Sequence, residues 1–183
     1  VEVMGHKVGW LTLYAGLAGG ADIILLPEVP YDIQVVCDAI TKRTKAGKRF
    51  SILAVAEGAI SKEDAAMSKK ELKEKKKNGV VYPSVAYEIG AKIQEVTGSE
   101  VRVTVPGHMQ RGGEPCPYDR VLATRLGAAA AELIINEGYM AALKKNEITK
   151  VPLSEVAGKL KTVDPNCSMI KEAKRIGISF GDQ

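Results

Sequence analysis

Short apolar runs alternate with longer amphipathic stretches along most of the chain. Residues 1–4 read as a short strand. From about residue 7 to residue 19, Val8, Leu11, Leu13, Ala15, Leu17 and Ala18 give a largely buried helix. Residues 22–27, apolar from Ile23 to Leu26 and stopped by Pro27, read as a buried strand. Tyr31-Asp32 opens a helix through Ile33, Val36, Cys37 and Ile40 toward Gly47, and residues 50–56 form a third apolar strand. Residues 61–77 are expected as one charged helix ending at Asn78-Gly79, and residues 84–96 as another closed by Gly98. The β-branched run 101–105 reads as a further strand. A long helix is expected over 118–138, short amphipathic pieces at 140–145 and 151–160, and a last helix at 169–175 stopped by Gly177. This strand–helix alternation predicts an α/β fold, a three-layer parallel sheet.

At 183 residues the chain is long enough for one domain, or for one and a piece of another. Hydrophobic residues at 45% and charged residues at 26% are ordinary globular values, and no run reaches the ~20 apolar residues that cross a bilayer. Val1-Glu2-Val3-Met4 has neither an initiator methionine nor a basic region, so it is expected to be a chain cut at a strand rather than a signal peptide. Cys37, Cys116 and Cys167, odd in number and widely spaced, fit neither a disulfide framework nor a zinc site, so a cytoplasmic location and no metal site are expected. The net charge of +4 invites a nucleic-acid reading. However, residues 61–77 hold seven lysines against four acids with no interleaved aromatics. That run is expected to be a solvated helix or lid, and nucleic acid is not expected as a partner.

Candidate chemistry gathers after residue 101. Pro106-Gly107 ends the apolar run, and His108, Arg111 and Gly112-Gly113 follow in a turn, with Arg102 just upstream. Arginine forks match phosphate oxygens, glycines let backbone come close, and α/β proteins bind ligands outside the carboxyl ends of their strands. Individually these cations could be surface charges; together they predict a pocket for a phosphorylated small molecule. Glu57-Gly58 follows the third strand, where a carboxylate could accept hydrogen bonds from sugar hydroxyls or simply cap a loop. Gly5 before the first helix is an anion-friendly position, since free N–H groups point at the loop.

The run Pro106-Gly107-His108-Met109-Gln110-Arg111-Gly112-Gly113, continued by Pro117-Tyr118-Asp119-Arg120, resembles the sugar-phosphate signature of the 6-phosphofructokinases. Val1-Glu2-Val3-Met4-Gly5 and the segment from Gly19-Gly20-Ala21-Asp22 to Pro27-Glu28 are similar to the same family in the same order. The resemblance covers nearly the whole chain and implies its C-terminal portion: a sugar-phosphate-binding domain over 1–110 with a lysine-rich insertion at about 61–79, then a helical segment and tail over 111–183. It implies transfer of a phosphoryl group from ATP or diphosphate, with Mg2+, to the 1-hydroxyl of fructose 6-phosphate. Arg102, His108 and Arg111 fall on positions that bind the 6-phosphate, Glu57 on a sugar-hydroxyl ligand, and Met4 and Gly5 on the loop beside the transferring phosphoryl. The counterpart of Arg102 reaches a neighbouring subunit's site, which implies a homodimer or homotetramer. Asp22 and Lys48 fall on positions resembling an effector site, although ordinary surface charges are the simpler reading.

Two features depart from the family pattern. The family reads Met-Gly-Arg where this chain has His6 followed by Lys7. Arginine is a fixed cation, whereas histidine side chains in general are only partly charged near neutral pH. His6 and Lys7 are therefore the candidate phosphoryl contacts. The glycine-rich donor loop and the catalytic base belong to a region upstream of Val1, so the isolated chain is expected to be inactive. Thr162-Val163-Asp164 imitates the base-carrying motif, but Asp164 is expected to have no chemical role. The alternative reading is a non-catalytic regulatory protein that binds sugar phosphate. If Lys7 supplies the missing charge, Lys7→Met should depress turnover of the complete enzyme much more than its affinity for sugar phosphate. Equal losses in steady-state kinetics would count against that role.

Overall fold

The computed structural model describes residues 1–135 and 137–183, and for Lys76 the backbone alone. In chain order the elements are β1 (Glu2–Val3), α1 (Trp10–Ala18), β2 (Ile23–Leu25), α2 (Ile33–Lys45), β3 (Leu53–Ala56), α3 (Lys62–Ala65), α4 (Lys69–Asn78) and α5 (Val85–Thr97). After a 3-10 turn at Gly107–Arg111 come α6 (Pro117–Glu132), β4 (Tyr139–Lys144), β5 (Glu147–Pro152), α7 (Leu153–Val156) and α8 (Ser168–Arg175). The chain forms two units, Val1–Gln110 with Thr162–Gln183, and Arg111–Lys161.

The first unit is built on a parallel sheet of order β1-β3-β2. Glu2 pairs with Val55 and Val3 with Ala56, while Ile23, Ile24 and Leu25 pair with Leu53, Ala54 and Val55. Side chains of a strand alternate between faces, so β2 feeds two cores. Ile23 and Leu25 join Val36, Cys37 and Ile40 of α2 and Ile89 and Ile93 of α5. Ile24 and Leu26 join Leu13 of α1, Ile170 and Ala173 of α8, Val163 and Phe180. Ile23, Ile24, Leu25 and Leu26 are each 0% exposed. Burial of side chains this size is worth ~1.5–3 kcal/mol apiece. The tail thus supplies one of the covering layers, and a bridge between Ile23 and Ser179 continues the sheet beyond β2.

Helix starts follow local chemistry. The Asp32 carboxylate accepts the Gln34 N–H at 2.8 Å and caps α2. The expected single helix over 61–77 is two helices, because Ser61 caps α3 and Ser68 starts α4 afresh. Ser68 and Glu71 form a reciprocal capping box, and this hydrogen bonding holds the Glu71 carboxyl below its usual range. Lys75 pairs with Asp64 across the break, and its ammonium is pushed up by that bond. The expected strand at 101–105 lies outside any named strand. Its Thr104 carbonyl accepts the Glu2 N–H at 2.9 Å, and β1, two residues long, offers little more to pair with.

In the second unit, Pro117 sits in the first turn of α6, and the Cys116 N–H donates to Asp119 at 3.2 Å. The helix ends at Glu132, short of the expected 138, and passes into a 3-10 turn at Leu133–Ile135. The expected amphipathic pieces are instead an antiparallel hairpin of β4 and β5, followed by the single turn α7. Lys145 (φ 51°) and Asn146 (φ 66°) are the two hairpin residues, both left-handed as a two-residue turn of this type requires.

Tyr31, 2% exposed, sits under the first core, and its phenol is pushed up by burial and then by Glu88, Asp64 and Glu63. An unfolded tyrosine ionises near ~10, while the folded one keeps its proton to higher pH. Stability is therefore complete below that pH and falls as pH rises beyond it, by up to ~1.4 kcal/mol per pH unit. Tyr31→Phe should flatten the fall. Urea midpoints of both proteins at about pH 8 and about pH 11 check it, and a constant difference between them would contradict it.

Candidate functional site

The carboxyl edge of the sheet is where side chains take over from the ladder. Glu57 donates its N–H to the Val3 carbonyl at 3.0 Å, the last bond joining β1 to the chain after β3. Beyond it the chain at residues 4–6 runs free of strand partners. The Glu57 Oε1 accepts the Gly5 N–H at 3.1 Å and also the His6 N–H. Gln110 Oε1 accepts the Met4 N–H at 3.2 Å. The Gly5 carbonyl accepts the Val8 N–H at 3.1 Å, turning the chain toward α1. His6 takes up a φ of 55°, a left-handed value for a residue with a side chain.

Gly58 packs directly beneath this loop. A Cβ built there would lie 2.1 Å from the His6 carbonyl oxygen and 3.3 Å from Pro27 Cγ. The close approach of the two backbones therefore requires glycine at 58.

Gln110 belongs to the 3-10 turn Gly107–Arg111, which also carries His108 and is closed by the Met109 N–H on the Pro106 carbonyl at 3.2 Å. Among the expected site residues, Met4, Gly5, His6 and Glu57 are thus joined to one another, and Gln110 ties them to the His108 turn. His6, Lys7, Glu57 and His108 are exposed. Arg111 is also exposed and is the first residue of the second unit.

Arg102 lies elsewhere. It is exposed, pairs with Glu100 at 2.9 Å, and lines a cavity of about 390 Å³ with Val1, Arg49, Phe50 and Leu53 at the amino edge of the sheet. Within one chain, Arg102 and Glu57 therefore stand at opposite ends of the strands. Asp22 is at the amino edge too. One of its carboxylate oxygens pairs with Arg43 at 2.8 Å, and the other accepts the Ile52 N–H at 2.8 Å. Lys48 is exposed, with its backbone N–H on the Arg43 carbonyl at 3.0 Å. Asp164 accepts the Asn166 N–H at 2.8 Å in the turn that leads into α8.

The anion-friendly start of α1 is taken by the protein itself. Glu28 accepts the Gly9 N–H at 3.0 and 3.1 Å on its two oxygens, and the Val163 N–H at 2.9 Å. Sequence reading missed Gln110 and Glu28 as organising residues. Both lie inside segments already singled out, yet neither carries a signal of its role without knowledge of which amides need a partner. A second cavity, also of about 390 Å³, borders Glu57 and Gly58 and includes Tyr31, Ser61, Asp64 and Glu88. No group of three or more His, Cys, Asp or Glu among the described residues could hold a metal ion.

Parallel strands covered on both faces, with polar loops gathered beyond their carboxyl ends, define an open α/β protein of the kind that takes small ligands at that edge. The family model described as Phosphofructokinase matches residues 1–134, and the chain belongs to the phosphofructokinase family. It is 54% identical, over 100% of its length, to an ATP-dependent 6-phosphofructokinase of Spirochaeta thermophila, of which it covers 50%. It is 41% identical, over 99% of its length, to a pyrophosphate–fructose 6-phosphate 1-phosphotransferase of Streptomyces coelicolor, of which it covers 52%. Among solved structures, Pichia pastoris phosphofructokinase matches 84% of this chain at 36% identity and a TM-score of 0.62, with 16% of that chain covered. The chain spans about half the length of the curated relatives it matches.

Gly58→Ala should force the two backbones apart and destabilise the protein by ~1–3 kcal/mol, the usual range for overpacking a fitted site. The urea midpoint checks it, and a shift equivalent to less than ~0.5 kcal/mol, typical of neutral surface substitutions, would show that the contact yields freely.

Proposed function

We propose that this chain is the acceptor-side portion of a 6-phosphofructokinase, which transfers a phosphoryl group from ATP or diphosphate to the 1-hydroxyl of fructose 6-phosphate. The observation that carries the reading is the joined edge: Glu57 on Gly5 and His6, and Gln110 on Met4 beside His108. Names of relatives include both ATP-dependent and pyrophosphate-dependent enzymes, so the donor stays open between the two.

In this reading the His108 turn and Arg111 hold the 6-phosphate, where charge-assisted hydrogen bonds to phosphate are strongest. Glu57, one oxygen of which fixes the loop, accepts from a sugar hydroxyl. Residues 4–6 line the place where the 1-hydroxyl attacks, and Lys7 offers positive charge to the transferring group. Mg2+, when bound with the donor, would neutralise phosphoryl charge. Arg102 stands at the far edge of its own sheet, which favours its use in the site of a neighbouring copy. The assembly is then a homodimer or homotetramer with composite sites, working in the cytoplasm. No helix among the described residues is long and apolar enough to cross a membrane.

Arg102→Ala and His108→Ala in the complete enzyme should each raise KM for fructose 6-phosphate roughly ten- to a hundredfold, as expected for a lost charged hydrogen bond. KM for the donor should be unchanged. Refolding the two variants together should restore part of the activity, because some mixed sites then hold both native residues. Failure of the complete protein to form fructose bisphosphate would overturn the function, and no recovery on mixing would overturn the shared site.

A further inference from the structure

We infer that Gln110 is a positioning residue for phosphoryl transfer, its side-chain oxygen setting the distance between the loop at residues 4–6 and the turn that carries His108. The inference rests on the proposed function and deepens it. Three consecutive amides, those of Met4, Gly5 and His6, all donate to side-chain oxygens rather than to backbone carbonyls. Past Val3 the sheet therefore no longer dictates where the chain goes, and two side chains do.

Their anchors are different. Glu57 fastens Gly5 and His6 to the end of β3 and so to the sheet. Gln110 fastens Met4 to the Gly107–Arg111 turn. On the proposed reading, those two pieces meet opposite ends of one substrate: the turn takes the phosphate on carbon 6, and the loop flanks the hydroxyl on carbon 1. A rigid sugar spans a fixed length, so the spacing of its two receptors decides whether the hydroxyl lies in line with the donor. Losing the Gln110 bond leaves each receptor whole but unfastens one from the other. Misplacement of about 1 Å can cost on the order of a hundredfold in rate. Met4 and Gln110 are both half-buried, so water does not readily replace the lost acceptor.

Binding and transfer should then separate. Gln110→Met keeps the side chain's length and volume but removes the acceptor; Gln110→Glu keeps an acceptor oxygen. In the intact protein, Gln110→Met is expected to speed hydrogen–deuterium exchange of the Met4 amide at least tenfold. It should also lower kcat roughly ten- to a hundredfold while KM for fructose 6-phosphate stays within about threefold. Gln110→Glu should restore slow exchange and recover at least tenfold of the lost kcat. A Gln110→Met enzyme with unaltered Met4 exchange, with kcat within about twofold of the parent, or with its loss confined to KM would overturn the inference, as would absence of rescue by Gln110→Glu. The exchange measurement needs no turnover. If the parent protein proves inactive on fructose 6-phosphate, the proposed function falls and the transfer role falls with it, while exchange still reports whether the bond exists.

Discussion

A parallel strand offers the solvent no face. Strand β2 is dry on both sides, and that constraint organises the first unit: the chain must supply apolar cover twice, from opposite directions. One cover comes from α2 and α5, the other from α1 together with the tail, which returns after Lys161 to place Ile170, Ala173 and Phe180. With both layers in place the strand ends are fixed, and the loops just past them start from fixed points.

What lies past them is a set of backbone amides that the ladder cannot satisfy. Side-chain oxygens answer that need at three places: Glu28 at the start of α1, Glu57 under the loop, and Gln110 across to the turn. Buried or half-buried N–H groups left unpaired are costly, so these acceptors shape the edge as much as they decorate it. Glu57 illustrates the economy of the arrangement. Both readings of it in the sequence, a loop cap and a sugar ligand, are compatible, because the described amide bonds fall on one of its oxygens.

The strand–helix alternation of residues 1–97 was legible because continuous apolar runs bounded by proline or glycine are hard to read otherwise, and the sheet follows them closely. Errors arose where a local signal overrode composition. Ser68 with Glu71 breaks a lysine-rich stretch that looks uniformly helical. Lys145-Asn146 makes a hairpin out of residues whose polarity hardly alternates. Residues 101–105 have strand composition but meet an edge too short to pair with. At the candidate site, residue types were readable from spacing, whereas the bonds that join them were not. An amide's need for a partner depends on where the ladder stops, and no spacing reports that. The residue pattern alone grouped Arg102 with His108 and Arg111, whereas the resemblance assigned its counterpart to a neighbouring subunit's site; within one chain it stands at the opposite end of the strands from Glu57.

The backbone at residue 6 gives the departure from the family's arginine a second meaning. Side chains that tolerate a left-handed φ are few, and histidine is enriched among them, along with asparagine and aspartate. An imidazole there suits the left-handed main chain but lacks the guanidinium's two-armed fork for phosphate oxygens. On the proposed reading, conformational comfort and electrostatic duty have been divided between neighbours, one residue bending the chain and the next carrying the cation.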